Sequence, residues 1–326
     1  MSTHKFINSS ILFLLLVLSS CVSLPQGTDS NLAFRVVPLG VKGGVDESNL
    51  SAYMLAPGNS NSYICLDAGT LHYGISKAVS NKAFTVPASV VLKSYIKAYL
   101  ISHPHLDHIS GLIINSTEDS TKNIYATESC ISQIKEHYFN WKSWPNFGNA
   151  GEGFTLKQYQ YKVLPANATE VHIENTDMQV QAFPLSHSAP YQSTAFLIRS
   201  KDNFVLYLGD TGPDEVEKSD NLQAVWESIT PLIKAKQLKA IFIEVSYPDD
   251  QPDNNLFGHL TPRWLMQEMG NLNNLSGTNA MQGLNVVITH MKPTGNSEEI
   301  IKRQLRERNS LKLNLIFPEQ GEAITL

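Results

Sequence analysis

Along residues 33–326 two kinds of pattern take turns. Short apolar runs rich in β-branched and aromatic residues occur at 34–40, 51–56, 62–67, 98–102 and 123–126, and again at 178–186, 194–200, 204–210, 240–245, 284–290 and 311–317. Their length and composition predict strands. Between many of them the apolar positions follow a helical period, which predicts helices near 85–96, 127–138, 221–236, 262–270 and 296–308. Strands mixed with helices from end to end predict an α/β or α+β domain whose sheet faces are covered by helices. No repeat of 20–50 residues is visible, and no linker divides 33–326. One stretch, HYFNWKSWPNFGNAGEGF (137–154), has no clean period. It reads as an insertion that hangs over a site rather than building the core.

The first residues change the picture of where the fold begins. Lys5 precedes an apolar run, Ile11 to Leu18. That run is too short for a membrane span, which needs ~20 residues, and fits the apolar region of a secretory signal. Leu18-Ser19-Ser20-Cys21 resembles a bacterial lipobox, in which the Cys becomes the lipidated first residue of the mature protein. Residues 1–20 are therefore expected to be a signal peptide, 21–32 a tether, and 33–326 the catalytic domain. The alternative is an ordinary signal peptide cleaved nearby, with Cys21 incidental. A lipidated Cys21 followed by Val22 implies an exported protein in the periplasm, in contact with the outer membrane through its anchor.

Of the other cysteines, Cys65 lies in an apolar run and is expected to be a buried small hydrophobe. Neither it nor Cys130 belongs to a Cys-x-x-Cys pair, which argues against thiolate metal binding. Whether the two pair with each other stays open at this level. The 326-residue chain carries a formal charge of −5 and has no basic block, so a nucleic-acid polymer is not an expected partner. A small anion held through metal remains compatible.

Candidate chemistry sits at strand ends. In AYLISHPHLDHISGLI (98–113), His103, His105, Asp107 and His108 fall within six positions, directly after an apolar run, in a chain with only 10 His. His103 and His105 are two apart, so in extended geometry they point the same way, and Pro104 favours that geometry. HISGLII is expected to continue as a helix. Imidazoles grouped this closely disfavour each other's protonation, and each needs a partner for its ring nitrogens. A divalent cation meets both needs, and zinc takes nitrogen and carboxylate ligands readily. The other reading, a solvated loop with fortuitous His, leaves the placement unexplained. Three more apolar runs each stop at one metal-type residue: His187, Asp210 and His290. Any one of them alone reads equally well as a loop polar residue. Together they favour a metal centre.

His103-x-His105-x-Asp107-His108 followed by His187, Asp210 and His290 resembles the metallo-β-lactamase superfamily over nearly all of 33–326. The resemblance implies a four-layer αββα sandwich of the α+β class. It also implies two divalent metal ions, zinc by preference: one on His103, His105 and His187, the other on Asp107, His108 and His290, with Asp210 bridging. Asp67 in CLDAGT matches the superfamily's early Asp, whose implied part is to orient a ligand imidazole; the bland reading is a turn Asp.

The longer string HPHLDHISGLIINS (103–116) resembles the signature of the class II 3′,5′-cyclic nucleotide phosphodiesterases. Thr117 departs from the Ala or Pro usual there. Glu244, at the end of a strand, and His259, in Gly-His-Leu-Thr, are similar to a Glu and His-x-Thr pair of the phosphodiesterase branch. The resemblance implies hydrolysis of cAMP and/or cGMP to nucleoside 5′-monophosphates by a metal-bridging hydroxide. Asp107 is expected to accept a proton, and His259, oriented by Glu244, to serve the leaving 3′ oxygen. The residues alone leave other readings of Glu244 and His259 open, as a strand cap and a surface residue. Tyr138, Phe139, Trp141, Trp144 and Phe147 either pack as core, the favoured reading, or stack on a purine. Two alternatives are another hydrolase of the same fold, such as a lactonase or β-lactamase, and a non-catalytic anchored metal-binding protein.

Overall fold

The computed structural model describes residues 32–166 and 169–326. The expected signal peptide, Cys21 and all but the last residue of the tether lie outside the described residues.

The apolar runs of the first half become β1 (Phe34–Gly40), β2 (Ala52–Pro57), β3 (Tyr63–Leu66), β4 (Ile96–Leu100) and β5 (Lys122–Ala126), joined by β6 (Tyr159–Val163). The second half supplies β7 (Val171–His172), β8 (Gln179–Ser186), β9 (Gln192–Ser200), β10 (Asn203–Leu208), β11 (Leu238–Glu244), β12 (Asn285–Thr289) and β13 (Asn314–Ile316); β14 (Ile324–Thr325) returns to the first sheet beside β1. The first sheet runs β14-β1-β2-β3-β4-β5-β6 and the second β13-β12-β11-β10-β9-β8-β7. Both are mixed in the same way. Up to β3, and up to β10, neighbours pair antiparallel; from there onwards they pair parallel.

Alternation along the strands sorts side chains between layers. In β10, Val205 and Tyr207 face the first sheet, while Leu206 and Leu208 face the helices; in β11, Ala240 and Phe242 divide from Ile241 and Ile243 in the same way. Both faces are buried, which is why these strands read as unbroken apolar runs. The inner layer joins the sheets, with Tyr53 of β2 edge-on to Phe242 of β11 at 5.7 Å between ring centroids. Outside the first sheet lie α1 (His72–Ser80), α2 (Ala88–Val90), α3 (Leu106–Asn115) and α4 (Glu128–Gln133). Outside the second lie α5 (Asp214–Glu217), α6 (Asn221–Lys234), α7 (Pro262–Ser276) and α8 (Ser297–Arg308). The result is the expected αββα sandwich of the α+β class.

Several local expectations change. The stretch 85–96 is regular helix only at α2, then a π turn (Val91–Tyr95) that runs straight into β4; α4 likewise passes into a π turn (Ile134–Tyr138). Helix α7 extends six residues beyond 270, because Leu272 and Leu275 keep its apolar face on the core until Gly277. Helix α1 has no counterpart among the expected helices; Gly74, its third residue, lowers helix propensity. The packing explains that glycine: a Cβ there would sit 2.1 Å from the Leu39 carbonyl oxygen of β1.

The segment 137–154 does not hang over a site, contrary to expectation. Phe139 is fully buried, and Tyr138, Trp144 and Phe147 pack on the first sheet's outer core. Trp144 Nε1 donates to Ser116 Oγ at 3.0 Å, and Tyr138 donates to the Pro104 carbonyl at 2.7 Å. The segment covers apolar sheet surface, which is where its aromatics gain most. Cys65 and Cys130 are both buried free thiols and do not pair.

Candidate metal centre

Parallel strands of one sheet all end on the same edge, so residues just past them converge. Asp67 follows β3 and His103 follows β4, while Asp210, Glu244 and His290 belong to the ends of β10, β11 and β12, which are neighbours. His187 follows β8, which runs the same way as β10 because each pairs antiparallel with β9. His105 caps α3, and Asp107 and His108 occupy its first turn. All seven predicted ligands therefore meet at one rim of the sandwich.

Their donor atoms fall into two groups. His105 Nδ1 lies 3.1 Å from His103 Nε2 and 3.3 Å from His187 Nε2. In the other group, His290 Nε2 lies 3.1 Å from His108 Nε2, 3.1 Å from Asp107 Oδ2 and 3.2 Å from Asp210 Oδ2; His108 Nε2 is 3.2 Å from Asp210 Oδ1. Asp210 Oδ2 also stands 3.7 Å from His103 Nε2 and 3.8 Å from His187 Nε2, so it faces both groups. A tetrahedral shell with metal–nitrogen bonds of about 2.0–2.1 Å puts its donors about 3.3 Å apart. Buried ring nitrogens facing each other at that spacing fit a divalent cation, and each group has enough donors to hold one.

Burial acts differently on the two groups. In the first it favours neutral rings: desolvation, then the nearby imidazoles, hold His103 well below the ordinary His range, and desolvation lowers His105 and takes His187 down to about 4. In the second, desolvation is outweighed. The carboxylates of Asp210, Asp67 and Asp107 raise His108, and those of Asp210 and Asp107 raise His290. Reciprocally, His108 and His290 hold Asp107 and Asp210 low despite their burial.

Several of these side chains are oriented from behind. Asp67 is fully buried with φ 53, and its carboxylate accepts from Ser102 N (2.7 Å), Ser102 Oγ (2.8 Å), the Tyr207 hydroxyl (2.7 Å) and His108 Nδ1 (2.8 Å). The resemblance implied such a part for it, and the turn-Asp reading does not account for four bonds. His187 Nδ1 donates to the Gly258 carbonyl at 2.9 Å. Glu244 Oε1 accepts from His259 Nδ1 at 2.7 Å and Thr211 N at 3.0 Å, and its Oε2 accepts from Ser246 Oγ at 2.7 Å. Burial raises the Glu244 carboxyl, but His259 outweighs it and keeps it low. His259 is buried, with its ring stacked 5.2 Å from that of His290. It is neither a surface residue nor remote from the centre.

Ser102, Tyr207, Ser246 and Gly258 also support the centre, and no spacing along the chain marks them. Ser246 Oγ stands 3.0 Å from His290 Nδ1 while bonded to Glu244, which ties the fourth strand-end ligand to the Glu–His pair. A lone Ser two positions past Glu244 carries no spacing rule that would have found it. Over the centre opens a cleft of about 350 Å³, walled by Tyr191, Phe257, Ser188 and Lys292 and floored by the cluster. None of the aromatics of 138–147 lines it.

Comparison with known proteins agrees with this arrangement. Yeast PDE1, in its unliganded crystal structure, superposes with a TM-score of 0.80 at 24% identity, covering 90% of this chain and all of that one. The metallo-β-lactamase fold protein YhfI of Bacillus subtilis superposes with a TM-score of 0.60 at 16% identity, over 90% of this chain and 98% of that one. These establish the metallo-β-lactamase fold. A 3′,5′-cyclic-nucleotide phosphodiesterase of Aliivibrio fischeri is 43% identical over 325 residues, 95% of this chain and 98% of its own length. The model of the family described as cAMP phosphodiesterases class-II matches residues 32–321, a span that contains every strand-end residue of the centre. By sequence, fold and the rim on which its histidines meet, the chain belongs to the class-II cAMP phosphodiesterases.

Proposed function

We propose that this chain hydrolyses 3′,5′-cyclic nucleotides to nucleoside 5′-monophosphates. The observation that carries the reading is the Glu244–His259 pair set against a two-group cluster that shares Asp210, in a chain of this family. His103, His105 and His187 would hold one divalent ion, Asp107, His108 and His290 a second, and Asp210 both; zinc suits the nitrogen-rich set. Divalent ions bound there would polarise the phosphate and lower the pKa of water enough to supply a nucleophile near neutral pH.

The protein's own groups do the rest. Asp107, partly exposed to the cleft, would serve as a ligand and accept the nucleophile's proton. Glu244 occupies Nδ1 of His259, which leaves Nε2 to hold or deliver a proton at the departing 3′ oxygen. Lys292, held at 2.9 Å by the Tyr247 hydroxyl, offers the phosphate a fixed positive charge at the cleft wall. The Asp67 carboxylate keeps the His108 ring aimed throughout.

The test is incubation of the purified, metal-loaded chain with 3′,5′-cAMP and identification of the product. 5′-AMP supports the reading. 3′-AMP would reverse the assignment of the leaving oxygen, and turnover of nitrocefin or an acyl-lactone without cAMP hydrolysis would replace the reading altogether.

Export is part of the proposal. Residues 1–20 act as a signal, and lipidated Cys21 anchors the enzyme to the outer membrane, where it meets extracytoplasmic nucleotide. In a Gram-negative host, C21A should abolish palmitate labelling of the protein. Labelling retained in C21A would overturn the anchor.

A further inference from the structure

Two large aromatic side chains in the cleft have no part in the chemistry above. Tyr191 is 55% exposed and Phe257 62% exposed, and both wall the cleft over the cluster. The other strongly exposed aromatics among the described residues, Tyr73, Trp141 and Phe154, do not line it. Apolar area left in water is unfavourable, so two such rings facing one polar cleft ask for a ligand with a flat apolar face.

The backbone presents both rings deliberately. Phe257 has φ +54, a region that L-residues with bulky side chains rarely adopt, and Gly258 follows at φ +77. A Cβ on Gly258 would lie 2.5 Å from Ser188 N, so the turn admits only glycine there. The carbonyl of that same glycine accepts His187 Nδ1. The turn that displays Phe257 is therefore also the one that aims His187. Tyr191 closes a turn with Ser188 at 3.2 Å and lays its ring edge-on to His105, 4.9 Å between centroids. The Phe257 turn is thus bonded to the His187 imidazole, and the Tyr191 ring packs against that of His105.

We propose that Tyr191 and Phe257 grip the purine of the substrate, an assignment that rests on the cyclic-nucleotide reading above. In a 3′,5′-cyclic nucleotide the phosphate is fused to the sugar, which fixes the base at a short reach from the reacting phosphorus. A residue that holds the base must stand about one sugar's width from the centre. Tyr191 is one ring away from a ligand histidine, and Phe257 walls the same cleft. Stacking uses the π-face that every base has, so the grip serves adenine and guanine alike. Neither residue touches the reacting atoms. They position the substrate and select for nucleotides over other phosphodiesters.

The test uses the full metal-loaded chain with Y191A, F257A, the double variant and Y191F, on cAMP and on the abasic ribose 3′,5′-cyclic phosphate. Loss of stacking should raise KM for cAMP roughly 5- to 150-fold in the alanine variants, as expected for one stacked base. Their kcat/KM on the abasic ring should stay within about twofold of the parent, and Y191F should behave as the parent does. A binding measurement gives the same answer without turnover. The parent should bind 5′-AMP more tightly than ribose 5-phosphate, and the double variant should close that gap. An unchanged KM for cAMP, or an equal loss on the abasic substrate, overturns the grip and leaves the phosphodiesterase reading standing. A parent that turns over other phosphodiesters but not cAMP overturns both.

Discussion

The two halves of the molecule deliver the site by different means. The first half places four site residues in six positions, on one loop and the first turn of α3. That helix is tied to the end of β3 by backbone bonds: Ala68 N to His108 O at 2.7 Å, Leu112 N to Ala68 O at 3.1 Å and Gly111 N to Gly69 O at 2.9 Å. The second half contributes one residue per strand end, spread from His187 to His290. The lesson is that a local cassette needs one well-held loop, whereas scattered ligands need the whole sheet in register. The halves also differ in charge. Burial lowers the three-histidine group, while the carboxylates around His108 and His290 raise those two rings.

Substitution at the shared position has the largest effect. Asp210 faces both groups, so D210A should lower cAMP turnover by about 10³-fold or more and reduce bound metal, measured by elemental analysis of the purified variant. Near-normal turnover would show that the second half's contribution is dispensable.

Next comes the Glu–His pair, which only the second half supplies. H259A should cost cAMP turnover about 10²-fold or more, and much less on bis-p-nitrophenyl phosphate, whose leaving group needs no proton. Equal losses on the two substrates would move His259 from proton delivery to mere support.

A change in the first half's support should cost less. D67N keeps the shape but replaces one acceptor oxygen by a donor facing Ser102, Tyr207 or His108. A fall of about 10–100-fold in metal affinity, read by competition with a chelator, is expected. An unchanged affinity would mean that α3 alone fixes His108.

The smallest effect is a control remote from the rim. Glu268 on α7 accepts from Trp226 Nε1 at 3.0 Å, and burial raises its carboxyl above the ordinary 4.5. A raised acid stabilises the fold fully below its unfolded pKa and loses that contribution as pH climbs through the folded value. E268Q stays neutral throughout, so its thermal midpoint should gain on the parent as pH rises from 4.5 to 8. A constant gap would assign the helix layer no share in the pH dependence and leave it to the rim.

Much of this was legible in the chain, for a physical reason. An apolar run that fills a strand makes the first ionisable side chain past its end stand out, as His103, His187, Asp210 and His290 do. Spacing within one loop fixed His103, His105, Asp107 and His108 as a group because no tertiary contact is needed to bring them together. Other features depended on contacts that sequence does not encode locally. Gly74 reads as a helix breaker until β1 is seen to press against it. The segment 137–154 reads as an overhang until the sheet that Tyr138, Phe139, Trp144 and Phe147 cover is in place. Tyr191 and Phe257 carry no periodic signal, since their position over the cluster comes from a turn bonded to His187 and a ring contact with His105. The sequence by itself set the apolar strands, though not β6, β7 or β14, together with the loop cassette and the family. Only the tertiary structure decided which strand ends share an edge, because hydrogen-bond pairing across parallel strands, not spacing along the chain, brings Asp210, Glu244 and His290 side by side.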